Sequence, residues 1–213
     1  QLLPFGARVG DGYGPNLVAV NGKASSKAIQ GSRIAIPGRY TTAYLALQLF
    51  ENDFQPVFTP FDRIFEELEK GVADFGLLIH EGQLTYRELG FEKVMDLGEW
   101  WQKNYNLPLP LGINAIRRDL EKSVINDFSR LFKQSIDYAM VHRGDALEYA
   151  LKFGRGMDRK RGDRFVGMYV NEYSLDLGEK GKAALELLYD LAYKKGLISR
   201  PVKFEDLVKI SPA

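Results

Sequence analysis

Short apolar runs alternate with amphipathic stretches through the first half of the chain, and this alternation restricts the fold more than any other feature. The pattern predicts strands at Asn16–Val20, Arg33–Pro37, Pro56–Phe58, Asp74–Ile79, Val94–Leu97 and Leu109–Ile116. It predicts helices at Thr41–Glu51, Pro60–Lys70 and Glu99–Lys103, and the glycine-rich residues 6–14 predict a loop. Such alternation is typical of a parallel or mixed sheet covered by helices.

Helical patterns dominate the second half of the chain. They cover Leu120–Val141, Gly144–Phe153 and Glu179–Lys195, with no strong strand pattern among them. The change near residue 117 predicts two structural regions. Val18–Asn21 and Gly112–Arg117 are each an apolar run that ends in polar residues, and we expect them to be hinge strands that join two lobes. A site between lobes is a common place for small ligands.

The charge balance of the chain argues against two classes of partner. Its 213 residues include 29 Lys and Arg against 28 Asp and Glu, so no electrostatic attraction to nucleic acid or to an anionic membrane is expected. The absence of cysteine excludes disulfides and thiolate metal sites. No apolar run approaches the roughly 18 residues of a transmembrane helix.

The segment Gly38-Arg39-Tyr40-Thr41-Thr42 is the first candidate binding element. It connects a predicted strand to a predicted helix, and a helix start presents unpaired N–H groups at the positive end of the helix dipole. Thr41 and Thr42 add hydroxyl donors, and Arg39 lies beside them. A carboxylate or phosphate is the ligand that such a loop favours. The alternative is a helix capped by Thr41 with no ligand at all.

His80 is the second candidate, because it follows a long apolar run that predicts a buried strand. Ligands of open α/β sheets bind at the carboxyl ends of strands, and an imidazole suits general-base chemistry near neutral pH. The alternative is a buried structural histidine. Glu81 then orients His80, holds a substrate hydroxyl or begins the next helix. His142, at the predicted end of a helix, is interpreted as structural, and no third ligand suggests a metal site.

Five segments then occur in an informative order: Ile36–Tyr44, Leu77–Glu81, Asp96–Trp101, Leu107–Gly112 and Tyr169–Asp176. Through them the chain resembles the 1,4-dihydroxy-6-naphthoate synthase family of the futalosine route to menaquinone. The resemblance covers nearly the whole chain. It implies an α/β fold with two lobes, like that of type II periplasmic binding proteins.

The resemblance also implies how the lobes divide. Residues 1–20 are expected to hold a hinge strand and a remnant of the first lobe, and residues 21–111 the second, α/β lobe. Residues 112–213 are expected to form the return hinge strand and a helical part that packs on both lobes. The family's leading segment, with its Ser-Pro-Cys-Pro-Asn-Asp-like motif, has no counterpart in this chain, so the N-terminal part of the first lobe is expected to be missing.

The function that the resemblance implies is a cytoplasmic carbon–carbon lyase. It converts cyclic dehypoxanthinyl futalosine, a carboxylate, to 1,4-dihydroxy-6-naphthoate without cofactor or metal. His80 corresponds to the family's base, and Thr41, Thr42 and Ala43 correspond to its ligand-binding segment, with Gly38 and Glu81 expected beside them. Two alternatives stay open: a solute-binding protein for a small carboxylate, and chorismate dehydratase of the same pathway. The oligomeric state is not predicted.

Overall fold

A computed structural model describes residues 1–23, 29–154 and 156–207 of the chain. The chain forms two compact units. The first comprises residues 1–10, residues 110–189 and the residues from Pro201 onward. The second comprises residues 11–109 and 190–200. No helix in the described part of the chain combines the length and the apolar character needed to cross a membrane.

The second unit is built on a mixed sheet of five strands. The strands are β2 (Asn16–Val20), β3 (Arg33–Ile36), β4 (Gln55–Phe58), β5 (Phe75–Leu78) and β6 (Phe91–Asp96). Their order across the sheet is β4-β3-β5-β2-β6. Strand β3 is parallel to both β4 and β5, whereas β2 is antiparallel to β5 and β6. This confirms the expected mixed sheet.

Within the described residues, four helices connect or follow these strands, and all but the short third helix lie where the sequence pattern predicts a helix. They are α1 (Thr42–Phe50), a 3₁₀ turn (Phe61–Arg63) that leads into α2 (Ile64–Glu69), α3 (Gly82–Thr85) and α4 (Leu97–Tyr105). Thr41 caps α1, as predicted, and Asp96 caps α4 through the N–H groups of Gly98 and Glu99. Both caps satisfy N–H groups that a helix leaves without intrahelical acceptors.

The core of the second unit lies between the sheet and α2. All four residues of β5 are buried, as expected for an interior strand. Gly76 has no side chain because α2 lies against it: an added Cβ would lie 2.5 Å from Ile64 Cγ2. Leu78 and Val18 belong to the same buried cluster as Ile64, and the ring of Phe61 packs against that cluster.

The first unit is mainly helical. It contains β1 (Arg8–Gly10), α5 (Lys122–Val141), α6 (Arg143–Leu151), α7 (Arg159–Tyr169), α8 (Glu172–Leu175) and α10 (Phe204–Leu207). Helix α9 (Gly178–Lys194) begins in the first unit, and its residues from Asp190 belong to the second. Strand β1 pairs with β7 (Leu109–Gly112) in a two-stranded sheet. The prediction of a loop over residues 6–14 is therefore wrong at β1, where pairing with a strand about 100 residues away overrides the local glycine content.

The division into units differs from the one expected from the sequence. Residues 11–20 belong to the second unit because β2 pairs on both of its edges within the five-stranded sheet. Residues 190–200 also belong there, and the Lys195 ammonium donates to the carbonyl of Leu49 in the last turn of α1 at 2.8 Å. The expected hinge role of residues 112–117, and the packing of the C-terminal part on both lobes, stay predictions.

Candidate functional site

The candidate residues lie where the parallel strands of the five-stranded sheet end, which we call its carboxyl edge. Because β3, β4 and β5 are parallel, their carboxyl ends at Ile36, Phe58 and Leu78 meet at the same edge. The loop after β3 carries Gly38, Thr41, Thr42 and Ala43, and the loop after β5 carries His80 and Glu81. Strands β3 and β5 are direct neighbours, so these two loops start about 4.8 Å apart. This is the edge at which open α/β sheets bind ligands.

The start of α1 is organised by Thr41. Its hydroxyl donates to the carbonyl of Gly38 at 2.9 Å and accepts the N–H of Tyr44 at 3.2 Å. Within the described part of the chain, the N–H groups of Thr42 and Ala43 have no acceptor. The first turn contains no acidic side chain that would neutralise the positive end of the helix. The arrangement therefore favours an anion at Thr42 and Ala43.

Arg39 lies on the same loop and is exposed. Its guanidinium carbon sits 4.6 Å from the ring centroid of Phe58 at the end of β4, and that ring contacts Tyr44 edge to face at 5.5 Å. A cation held over an aromatic face loses less freedom when it meets an anion than an unrestrained arginine does. Arg39 can thus add a positive charge beside the helix start, as the sequence suggested.

His80 is half-buried and lies against an aromatic ring. The imidazole and the ring of Phe61 have centroids 4.3 Å apart with an interplanar angle of 63°. The backbone below it is fixed by two bonds from Gln83, whose N–H donates to the carbonyl of His80 at 2.9 Å and whose side-chain amide donates to that of Leu78 at 3.1 Å. The imidazole is therefore neither solvated on all sides nor enclosed in the core. The two interpretations of His80, a general base and a structural histidine, both stay predictions.

Glu81 is half-buried and immediately precedes α3. Its carbonyl accepts the N–H of Leu84 at 2.9 Å, and its side chain does not cap the helix. It lies at the same edge of the sheet as His80. Its expected role beside a ligand stays a prediction.

Sequence reasoning missed two polar residues at this edge. Asn16 begins β2 and Asp96 ends β6, and the two pair across the strands. Burial raises the pKa of the Asp96 carboxyl, against the opposing effects of the Glu99 and Gly98 N–H groups and the Lys93 ammonium. Only the strand register brings these residues to the site, and the register is not readable from local patterns.

The remaining histidine lies elsewhere. His142 is exposed in the first unit, between α5 and α6, and stacks on Tyr138 with ring centroids 4.1 Å apart. Within residues 1–23, 29–154 and 156–207, no three His, Asp or Glu side chains gather as they would around a metal ion.

Known proteins resemble this chain closely. Residues 1–194 match the family model described as menaquinone biosynthesis. A 1,4-dihydroxy-6-naphthoate synthase of Thermus thermophilus is 38% identical over 195 residues, which cover 92% of this chain and 71% of that protein. The enzyme of the same name from Streptomyces coelicolor is 34% identical over 203 residues, which cover 92% of this chain and 71% of that protein.

Two solved structures are also similar to this chain. A crystal structure of a protein from Archaeoglobus fulgidus superposes with a TM-score of 0.87 at 50% identity, over 93% of this chain and 74% of the other. The periplasmic aliphatic sulphonate binding protein of Escherichia coli gives a TM-score of 0.64 at 12% identity, over 99% of this chain and 70% of the other. The second likeness shows the fold alone, and it confirms the expected periplasmic-binding-protein-like architecture.

Proposed function

Because this chain belongs to the menaquinone biosynthesis family, we propose that it is a cytoplasmic carbon–carbon lyase that forms 1,4-dihydroxy-6-naphthoate from cyclic dehypoxanthinyl futalosine. Two relatives that carry the name of the corresponding synthase support the product. The observation that carries the proposal is the placement of His80 and the start of α1 on neighbouring parallel strands.

The helix start supplies the anchor for the substrate carboxylate. The N–H groups of Thr42 and Ala43 and the hydroxyl of Thr42 are the donors, and Arg39 adds charge. Binding of the carboxylate there fixes one end of the substrate. The rest of the molecule then extends along the sheet edge toward His80, and such fixed orientation is a large source of rate enhancement.

His80 supplies the proton chemistry. In the proposed reaction it removes the proton of a hydroxyl group in the sugar-derived part of the substrate. That oxygen becomes the carbonyl of the departing fragment as the adjoining carbon–carbon bond breaks, and the electron pair of the broken bond passes into the ring system. The ring that remains becomes aromatic, which helps to drive the cleavage. A positioned base contributes about 10²- to 10⁴-fold to such a step, so orientation and exclusion of water must supply much of the rest.

A solute-binding protein for a small carboxylate is the second candidate, because the start of α1 would hold the anion equally well in such a protein. A binding protein needs no base beside the anchor. The position of His80 at the carboxyl edge therefore favours the lyase.

The experiment that tests the proposal is incubation of the chain with cyclic dehypoxanthinyl futalosine, followed by chromatography for 1,4-dihydroxy-6-naphthoate. Chorismate serves as the parallel substrate, because its dehydration would indicate the sister enzyme. Formation of the naphthoate is the expected result. Substrate binding by calorimetry without any product would instead support the solute-binding protein.

A further inference from the structure

Asn16 holds a buried hydrogen-bond acceptor that the fold leaves unused. The residue is 7% exposed, and its Oδ1 atom accepts no hydrogen bond within the described part of the chain. Buried polar atoms in proteins are nearly always paired, because an unpaired one forfeits its bond to water without replacement. An unpaired buried atom calls for an explanation, and for Asn16 its position in the fold suggests one.

Asn16 lies at the carboxyl edge of the sheet. Strand β2 runs antiparallel to β5, so the first residue of β2 lies beside the last residue of β5, and Asn16 pairs with Leu78. Directly paired residues on antiparallel strands project from the same face of the sheet. The side chain of Asn16 is therefore on the face of Leu78, two residues before His80.

The His80 ring lies on that face as well. Leu78 belongs to the buried cluster that packs under α2, and Phe61 packs against the same cluster while it contacts the imidazole. Asn16 and His80 thus share both an edge and a face of the sheet. The helix start at Thr42 follows β3, and β3 lies two strand spacings, about 10 Å, from β2.

The backbone that carries Asn16 is held firmly. The carbonyl of Pro15 accepts the N–H of Leu97 at 3.0 Å, at the start of α4. Gly14 and Gly98 allow the two segments to touch: a Cβ on Gly98 would lie 1.9 Å from the carbonyl carbon of Tyr13. A side chain on such a support is oriented before any ligand arrives, which is how binding sites hold specificity groups.

We infer that Asn16 Oδ1 accepts a hydrogen bond from a hydroxyl group of the bound aromatic carboxylate, and that it selects hydroxylated ring acids over acids without the hydroxyl. This inference rests on the proposed function, because it takes the carboxylate at Thr42 and Ala43 as the opposite anchor. An oxygen acceptor requires a donor from the ligand, and a ring hydroxyl is the donor that a dihydroxynaphthoate offers. Asn16 and the loop that leads to the helix start lie at the same edge of the sheet, as two anchors of one ligand require.

The test is calorimetric binding of 1,4-dihydroxy-6-naphthoate and of 2-naphthoate, in anaerobic buffer, to the wild-type chain and to Asn16→Leu. Leucine has nearly the same shape and offers no acceptor. We expect the wild type to prefer the dihydroxy acid, and the variant to lose about tenfold of that preference while its affinity for 2-naphthoate is kept. Asn21→Leu is the matched control, since Asn21 is an exposed asparagine at the other end of β2.

A thermal melt without ligand separates a binding role from a structural one. If Asn16 serves the ligand, Asn16→Leu keeps or raises the melting temperature, because it removes an unpaired buried acceptor. A lowered melting temperature with equal losses for both acids would overturn the inference, as would a preference unchanged in the variant. Binding of neither acid by the wild type would overturn the proposed function, and the inference with it.

Discussion

The imidazole of His80 meets the ring of Phe61 edge to face, with 4.3 Å between the ring centroids. Phe61 belongs to the 3₁₀ turn after β4, and His80 follows β5, so the contact joins two loops at the same sheet edge. Phe61 also packs against the buried cluster under α2. The orientation of the proposed base is therefore set by the core of the second unit.

Phe61→Leu should slow the chemical step more than it weakens substrate binding. Leucine fills part of the space in the cluster but does not restrain the imidazole plane, and small misplacements of a catalytic group cost up to about 10²-fold in rate. Steady-state kinetics should show kcat reduced about tenfold or more, with a smaller change in KM. Phe65→Leu is the matched control, because Phe65 packs on the same cluster and contacts Phe91 at 4.7 Å. Equal effects of the two substitutions would show that only core packing is involved.

His80→Asn should abolish naphthoate formation and leave ligand binding intact. Asparagine is similar in size and cannot act as a base near neutral pH, so the expected loss in kcat is about 10²- to 10⁴-fold. Binding of 1,4-dihydroxy-6-naphthoate by calorimetry should change little. His142→Asn, in the exposed ring pair with Tyr138, should retain full activity. Normal turnover by His80→Asn would remove this residue from the mechanism.

The two neighbouring threonines should respond differently to alanine. Thr41→Ala removes the cap of α1 and should lower the free energy of unfolding by about 1 kcal/mol, which a urea titration measures. Thr42→Ala should raise KM more than it lowers kcat, because it removes a donor to the carboxylate, and it should not lower stability, since alanine is the better helix former. A larger stability loss for Thr42→Ala than for Thr41→Ala would contradict this division of roles.

Local chemistry made the helix start predictable. Thr41 follows a strand pattern and precedes an apolar periodicity, and these signals identify a cap without any knowledge of tertiary structure. His80 was predictable for a similar reason, because a continuous apolar run indicates a buried strand and its last residues must lie at the sheet edge. Such signals involve neighbours in sequence only.

The residues that sequence reasoning missed depend on contacts between distant segments. Asn16 was predicted only as the polar first residue of a strand, and the antiparallel register of β2 brings it beside Leu78. Phe61 lies within the predicted helix Pro60–Lys70, and its contact with His80 depends on the parallel arrangement of β4 and β5 around β3. Strand β6 extends over Glu92 and Lys93, which its sequence pattern did not suggest because charged residues are uncommon in strands.

Asp96→Asn should become more stable than the wild type, relative to their difference at low pH, as the pH rises. Burial raises the pKa of Asp96 in the folded state, so the folded chain retains this proton to higher pH than the unfolded chain does. Wild-type stability therefore falls between the ordinary aspartate pKa of about 3.9 and the raised value. Asparagine keeps the cap of α4 and does not ionise, so the variant lacks this fall. Urea titrations from about pH 4 to about pH 8 measure the difference.

Asp74→Asn is the control of opposite sign. The hydrogen bond from Arg33 lowers the pKa of Asp74, so this carboxylate stabilises the folded chain above its ordinary pKa and loses that effect as the pH falls through the lowered value. As the pH rises, the free energy of unfolding of the wild type should therefore increase relative to that of Asp74→Asn and decrease relative to that of Asp96→Asn. The same trend in both variants would contradict the direction of one of these two pKa shifts.

Strand β4 closes one side of the five-stranded sheet, and it contains a proline. The N–H groups of Gln55 and Thr59 donate inward to the carbonyls of Ser32 and Ile36, so the intervening Pro56 stands where an outward donor would otherwise be. A strand arriving from another molecule would find a gap in the ladder and the guanidinium of Arg39 over Phe58 beside it. The free side of β4 is thus protected against self-association into extended sheets, and replacing Pro56 would expose the protein to aggregation.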